Sequence, residues 1–219
     1  FYAACNVPVI SPEGIGGMIK GGTWTATTIY LTPTTLGAIT VNFLMSLAGG
    51  MMMAFVVSKG NPFWTYSGGL AGIIAASAGN DLYHPIQAMI IGGVGAAVAY
   101  KMHYWVEQKF KIDDAVGAVA VHGYAGFAGL IISGFVLWGH PSSVYEGYAA
   151  INPLGQFIGA IIMFGVLGFL PGWVVAKVLH GMDMLRVPKE IELMGLDFAS
   201  NQDEQAAAED VRNAEKALI

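Results

Sequence analysis

The chain has 219 residues; 55% are apolar, only 11% are charged, and 30 are glycine. A soluble domain carries about twice that charged fraction, so the composition argues against a water-solvated globule and for a membrane protein. The net charge of −5 lies largely beyond Lys189, no basic cluster suits nucleic acid, and a single Cys5 excludes an internal disulfide or a cysteine-rich metal site.

In chain order, residues 1–6 read as the tail end of an apolar segment, with no initiating Met, basic leader or cleavage signal ahead of them. The chain is therefore expected to be the later part of a longer polypeptide. A looser stretch of Gly, Pro and Thr fills residues 8–32. Five apolar stretches follow, at residues 33–58, 63–78, 85–106, 115–138 and 153–179; the long ones suffice to cross a bilayer at about 1.5 Å per helical residue. The second is short and rich in glycine (Gly68, Gly69, Gly72), and is expected to be a packed, partly buried helix. The fold class that follows is all-α and integral to the membrane, with the spans in residues 1–182 and a tail in residues 183–219.

Basic residues set the orientation. Lys59 follows the first span, Lys101, Lys109 and Lys111 the third, and Lys177, Arg186 and Lys189 the fifth, whereas loops 79–84 and 139–152 contain none. The positive-inside rule puts the Asp113/Asp114 loop and the tail in the cytoplasm, leaving Lys20 as the basic residue of an outer segment. Tyr83, Trp138 and Tyr145 are expected at the outer interface, with Tyr104 and Trp105 near the inner one. Pro85 suits the first turn of a helix, with His84 before it and Asp81 as the candidate cap. His103, His140 and His180 fall near interfaces and read as solvated.

Small residues recur at helix-contact spacing, as Gly68/Gly72, Gly92/Ala96, Gly123/Phe127 and Gly126/Leu130, with Gly129 and Gly134 beyond. Lipid supplies no hydrophobic drive between helices, so close backbone approach through Gly and Ala must hold such a bundle together.

The fourth span carries the candidate for chemistry. His122 lies about 12 Å in from Asp114 at helical rise, inside the hydrocarbon, where ionisable side chains are costly and mark pathways. α-Helical spacing puts Ala118, His122, Ala125 and Gly129 on one face. One imidazole flanked by methyl groups and bare backbone suits a narrow apolar passage with one hydrogen-bonding station. A neutral ring both donates and accepts, and a desolvated one resists protonation. The plainer alternative is a core histidine satisfied by a backbone carbonyl. Asp113 and Asp114 open that helix, where carboxylates suit the macrodipole and capping is a simpler role than catalysis. The sequence holds no metal-ligand spacing, no Ser/His/Asp order and no phosphate loop, so neither an enzyme nor a cofactor is expected.

Three ordered blocks resemble the ammonium transporter (Amt/Rh) family. Asp113-Asp114, then Val121-His122-Gly123 and Gly126, match a family pattern of two Asp, a further Asp, and Val-Phe-x-Val-His-Gly-x-x-Gly. Gly60-Asn61-Pro62 through Gly69, Ala71 and Gly72 match a block that begins Gly-Lys-Pro and ends Gly-x-x-Ala-Gly. Leu185-Arg186-Val187-Pro188-Lys189-Glu190 and Gly195-Leu196-Asp197 match a third in the tail, and Asn42 fits an Asn of the family's seventh span.

The resemblance implies a helical bundle of eleven spans, in two inverted five-helix repeats plus a long last helix, with the substrate path at the repeat interface and a homotrimeric assembly. This chain would supply the end of the sixth span and spans seven to eleven, in a bacterial-type inner (cytoplasmic) membrane. It further implies ammonium or ammonia as cargo and a pore with two facing histidines, of which His122 is the second; the first would lie in the fifth span, ahead of Phe1. Ala118, Val121 and Ala125 would line the path around His122, while Asp113, Asp114, Gly123, Gly126 and Asn42 would be structural. Arg186, Pro188, Glu190, Gly195 and Asp197 would form a cytoplasmic tail able to dock a PII-type signalling protein, with residues 203–219 as a short helix. Departures from the pattern are Gly117 at the third Asp, Ala118-Val119 for Val-Phe, Asn201-Gln202-Asp203 for a His-Gly-Glu, and a more polar 80–85 connection. They suggest a divergent branch. Other readings are an ammonium sensor signalling through its tail, an Rh-like gas channel, and a purely structural membrane subunit.

Overall fold

The computed structural model describes residues 36–142, 147 and 149–194, the short segments 28–29 and 32–33, and Asn213. Strands β1 (Thr28–Ile29) and β2 (Thr32–Pro33) pair antiparallel, Thr28 opposite Pro33 and Ile29 opposite Thr32. Helix α1 (Leu36–Val57) has 22 residues, about 33 Å of rise. Its end turns left-handed through Lys59 (φ 56°) and Gly60 (φ 83°), and Gly60 N donates to Phe55 O at 2.8 Å, the bond that closes a glycine-terminated helix.

Helix α2 (Pro62–Ala76) begins at Asn61, whose side chain accepts from Trp64 N at 3.2 Å, with Pro62 in the first turn. A 3-10 turn (Ser77–Gly79) follows. Helix α3 (Pro85–Phe110) is capped by His84 rather than by Asp81: Ile86 N donates to His84 Nδ1 at 3.3 Å, and His84 N donates to Gln87 Oε1 at 2.9 Å. The imidazole wins because it sits directly before Pro85, the position from which a side chain reaches the second amide of the helix. A π-helical turn (Val119–Tyr124) leads into α4 (Ala125–Val136). Helix α5 (Pro153–Ile161) is capped by Asn152, which accepts from Gly155 N at 2.8 Å. A second π stretch (Ile162–Phe169), α6 (Leu170–Gly181) and α7 (Lys189–Met194) complete the described elements. Each of the five expected apolar stretches thus contains a helix, although Pro33 falls in β2 and residues 115–117 form a turn. Among the described residues, three helical stretches are long and apolar enough to cross a membrane: Gly37–Val57 (21 residues), Val119–Val136 (18) and Pro153–Gly181 (29).

The chain divides into two compact units, residues 1–165 and 166–219. In the first, α1, α2 and α3 pack through glycine. A Cβ on Gly72 or Gly92 would strike the Ser46 carbonyl oxygen of α1, one on Gly50 would strike that of Gly68, and one on Gly129 that of Ala75. A Cβ on Gly126 would lie 3.2 Å from the Phe164 ring, and one on Gly134 2.8 Å from Pro153 Cα. Gly123 does not join in: a Cβ there would touch only Val119 of its own turn, at 3.9 Å, although Phe127, its partner in the spacing, meets the Phe157 and Phe164 rings. Gly49, Gly50 and Gly95, which the spacing did not single out, are as tightly placed as Gly72.

A polar stitch crosses this apolar packing. Asn42, 2% exposed, donates through Nδ2 to Asn80 O (2.8 Å) and Tyr83 O (2.6 Å), and Asn80 Nδ2 donates to Ile39 O (3.1 Å). It ties the first two turns of α1 to the α2–α3 connection. Tyr83 is buried in this knot and is not the interfacial belt residue expected of it, because the connection folds back onto α1. Trp138, Tyr104 and Trp105 are exposed, and Tyr145 lies outside the described residues. In the second unit no residue of α6 is buried, and Lys177 Nζ stands 5.6 Å from the Trp173 ring.

Candidate functional site

The turn into the fourth span is built from one carboxylate. After α3 stops at the left-handed Lys111 (φ 56°), the chain turns through Asp114–Gly117, with Gly117 N donating to Asp114 O at 2.7 Å. Gly117 has φ 70°, a region where glycine carries no Cβ penalty. A Cβ there would have room at 3.6 Å from Trp64, so the backbone angle rather than space favours glycine here. Asp114 is 5% exposed; its Oδ1 accepts from Val119 N and its Oδ2 from Ala120 N, both at 3.0 Å. The pair expected to open the helix separates in role: Asp114 holds two orphan amides of the helix start, and Asp113 is exposed.

The amides so held begin the π turn on which His122 rides. A π turn bonds i to i+5, so the side-chain faces drawn from α-helical spacing shift. His122 and Ala118 are exposed, with Val116 and Val119 exposed nearby, whereas Val121 and Ala125 are buried. Gly129 is pressed on Ala75. The single face expected for Ala118, His122, Ala125 and Gly129 is therefore split: two members look outward and two pack into the bundle. His122 is on the exposed side of this turn.

The structure brings to this turn a group that sequence spacing did not suggest. His103, read as solvated, is 8% exposed. Its Nδ1 stands 3.7 Å from Asp114 Oδ2 and its Nε2 3.4 Å from Glu107 Oε1. The ring meets Trp64 edge-on at 4.8 Å and Tyr104 at 5.0 Å, and Trp64 Nε1 donates to the Tyr104 hydroxyl at 3.2 Å. The His103/Glu107 spacing was a legible signal; Asp114 and Trp64 arrive from other elements. His84 and His180 are exposed, and His140 is half-buried in a loop where Ile151 N donates to its carbonyl at 2.8 Å.

In the tail, Arg186 Nη2 pairs with Glu192 Oε1 at 3.2 Å on an exposed surface. Pro188 directly precedes α7 and Glu190 lies within it; Gly195, Asp197 and residues 203–212 and 214–219 lie outside the described residues. Among the described residues no three His, Cys, Asp or Glu side chains gather as a metal ion would need.

A sequence model of the Ammonium Transporter Family matches residues 20–206. The chain belongs to the ammonium transporter family. Ammonium transporter Amt2 of Methanocaldococcus jannaschii is 33% identical over 172 residues, covering 76% of this chain and 38% of the relative. The ammonium transporter of Corynebacterium glutamicum is 31% identical over 74% of this chain and 38% of its own length, and ammonium transporter 1 member 1 of Solanum lycopersicum is 31% identical over 81% and 38%. This transporter-family chain thus spans about two-fifths of the length of the relatives it matches. The matched region holds both the Asp114 turn and the first tail residues. The bundle is of the family's helical membrane kind, and the chain is multi-pass.

Proposed function

We propose that the protein conducts ammonium, as ammonia at its narrowest point, along a path for which His122 is a hydrogen-bonding station. The observation that carries this reading is the placement of His122. In a chain of this family it stands exposed on a π turn whose first amides are pinned by a buried carboxylate. Ala118 flanks it on the open side, and Val121 and Ala125 form the packed wall behind. Neutral imidazole hands a small polar molecule on, because it donates at one nitrogen and accepts at the other. An unpaired cation is refused by the cost of burying charge among apolar groups. A second histidine ahead of Phe1 would complete a facing pair.

The same reading has the protein in a cytoplasmic (inner) membrane as a homotrimer, with residues 1–182 in the membrane and residues 183–219 in the cytoplasm. The end of α6 at Gly181 and the basic residues Lys177, Arg186 and Lys189 support that boundary and orientation. The tail segment of Arg186, Pro188, Glu190, Gly195 and Asp197 is a docking element for a PII-type signalling protein. Uptake of labelled methylammonium by the full-length protein tests the central claim. His122→Ala lowers it by about tenfold, the size of one lost hydrogen bond to a transiting polar molecule. Unchanged uptake in both His122→Ala and His122→Asp removes His122 from the mechanism.

A further inference from the structure

Among the described residues, the buried acidic and basic side chains are His103 and Asp114, and only the second has an evident task. Asp114 spends one oxygen on each of two amides, yet a carboxylate has about four acceptor positions, and buried charge is tolerated only where partners answer it. The group that faces it is His103 Nδ1, at 3.7 Å from the oxygen that also accepts from Ala120 N. That nitrogen is buried and has no hydrogen-bond partner; 3.7 Å exceeds hydrogen-bond length and lies within reach of a small ring rotation. Glu107 at the opposite nitrogen and the edges of Trp64 and Tyr104 fix the plane of the ring.

We infer that His103 is a positioning residue for His122: it holds Asp114, and Asp114 holds the first amides of the π turn on which His122 is carried. This rests on the transport reading above for its functional consequence, although not for its geometry. An imidazole donor at Nδ1 supplies the third contact that keeps the carboxylate under Val119 and Ala120. Without it the carboxylate swings toward water, the turn loosens, and the imidazole two residues beyond Ala120 loses its fixed place in the path. Misplacement of a reacting or binding group by an ångström is enough to matter for rate.

The test uses the full-length protein in membranes, with His103→Phe, His103→Gln, Asp114→Asn and the double variant His103→Phe/Asp114→Asn. Phe fills the space beside Trp64 and has no donor; Gln keeps a donor and gives up the ring. His103→Phe is expected to lower methylammonium uptake about tenfold and to speed deuterium exchange in the peptide holding the Val119 and Ala120 amides. His103→Gln is expected to stay close to the parent on both measures. In the double variant the loss does not exceed that of Asp114→Asn alone, because the two side chains act in series. A packing role predicts the reverse order, with Phe as good as His and Gln worse; that result overturns the inference, and so does equal impairment by Phe and Gln. If the parent protein moves no methylammonium, the transport reading fails, while the exchange comparison still decides whether His103 holds the turn.

Discussion

Two glycine-bearing apolar stretches of this chain behave differently. In α1, α2 and α3 the glycines are closely packed: a Cβ on Gly50 would strike the Gly68 carbonyl and one on Gly92 the Ser46 carbonyl, while those on Gly68 and Gly95 would strike the methyl groups of Ala54 and Ala75. In Pro153–Gly181 a Cβ on Gly159, Gly165, Gly172 or Gly181 would meet nothing within 4 Å. Both stretches read as glycine-rich apolar helix. What separates them is the presence of a close neighbour: in the first the neighbour is often a small residue (Ser46, Ala54, Gly68, Ala75), which lets the helices approach closely.

The sharpest way to break this comparison is to fill a facing pair. Gly72→Leu or Gly92→Leu forces a side chain into the Ser46 carbonyl and is expected to cost about 3 kcal/mol, read as loss of the monodisperse peak in size exclusion and a large fall in melting temperature. Next in size is the polar stitch. Asn42→Ala removes the donor that the Asn80 and Tyr83 carbonyls share, with an expected cost of about 2 kcal/mol in the same thermal assay. Gly172→Ala tests the other side of the comparison. It is expected to raise stability by about 0.5–1 kcal/mol through helix propensity, and a fall would mean that another surface closes on that glycine.

The smallest effect concerns Asp81, in the connection that Asn42 ties down. Burial holds its carboxyl above the usual 3.8, an effect partly offset by a backbone hydrogen bond. The folded chain therefore binds this proton more readily than the unfolded chain. The group's contribution is favourable in acid and declines as pH rises from about the unfolded value through the raised folded one. Asp81→Asn removes that slope, so the melting temperature of the variant, relative to the parent, rises between acid and neutral pH. An unchanged difference across that range would place the carboxyl in water.

Much of the fold was legible because its signals are local. Asn61-Pro62, His84-Pro85 and Asn152-Pro153 mark helix starts, and apolar length marks the spans. Even there the cap of α3 went to His84, since reach from the residue before Pro85 outweighs the general preference for Asp. Less was legible at the site. His122 stands out in the sequence by its oddity in an apolar run, and Asp114 by its place before a helix. The π turn has no periodic signature, so the face shared by Ala118 and Ala125 on paper divides in three dimensions. His103 was misread because its burial is made by Trp64 and Asp114, which come from other parts of the chain; spacing within α3 reveals only its Glu107 neighbour.

The π turn also fixes how the chain tolerates insertion and deletion. It accommodates one residue more than an α-helical turn would over the same rise, which amounts to about 100° of azimuth. Removing one residue between Val119 and Tyr124 would restore ordinary winding and swing everything downstream round by that angle. Gly129 and Gly134 would leave the surfaces of Ala75 and Pro153 and bulkier neighbours would take their places. A single codon lost here would misalign an entire span, whereas one lost from the 139–142 loop would disturb only its local pairing with Ile151.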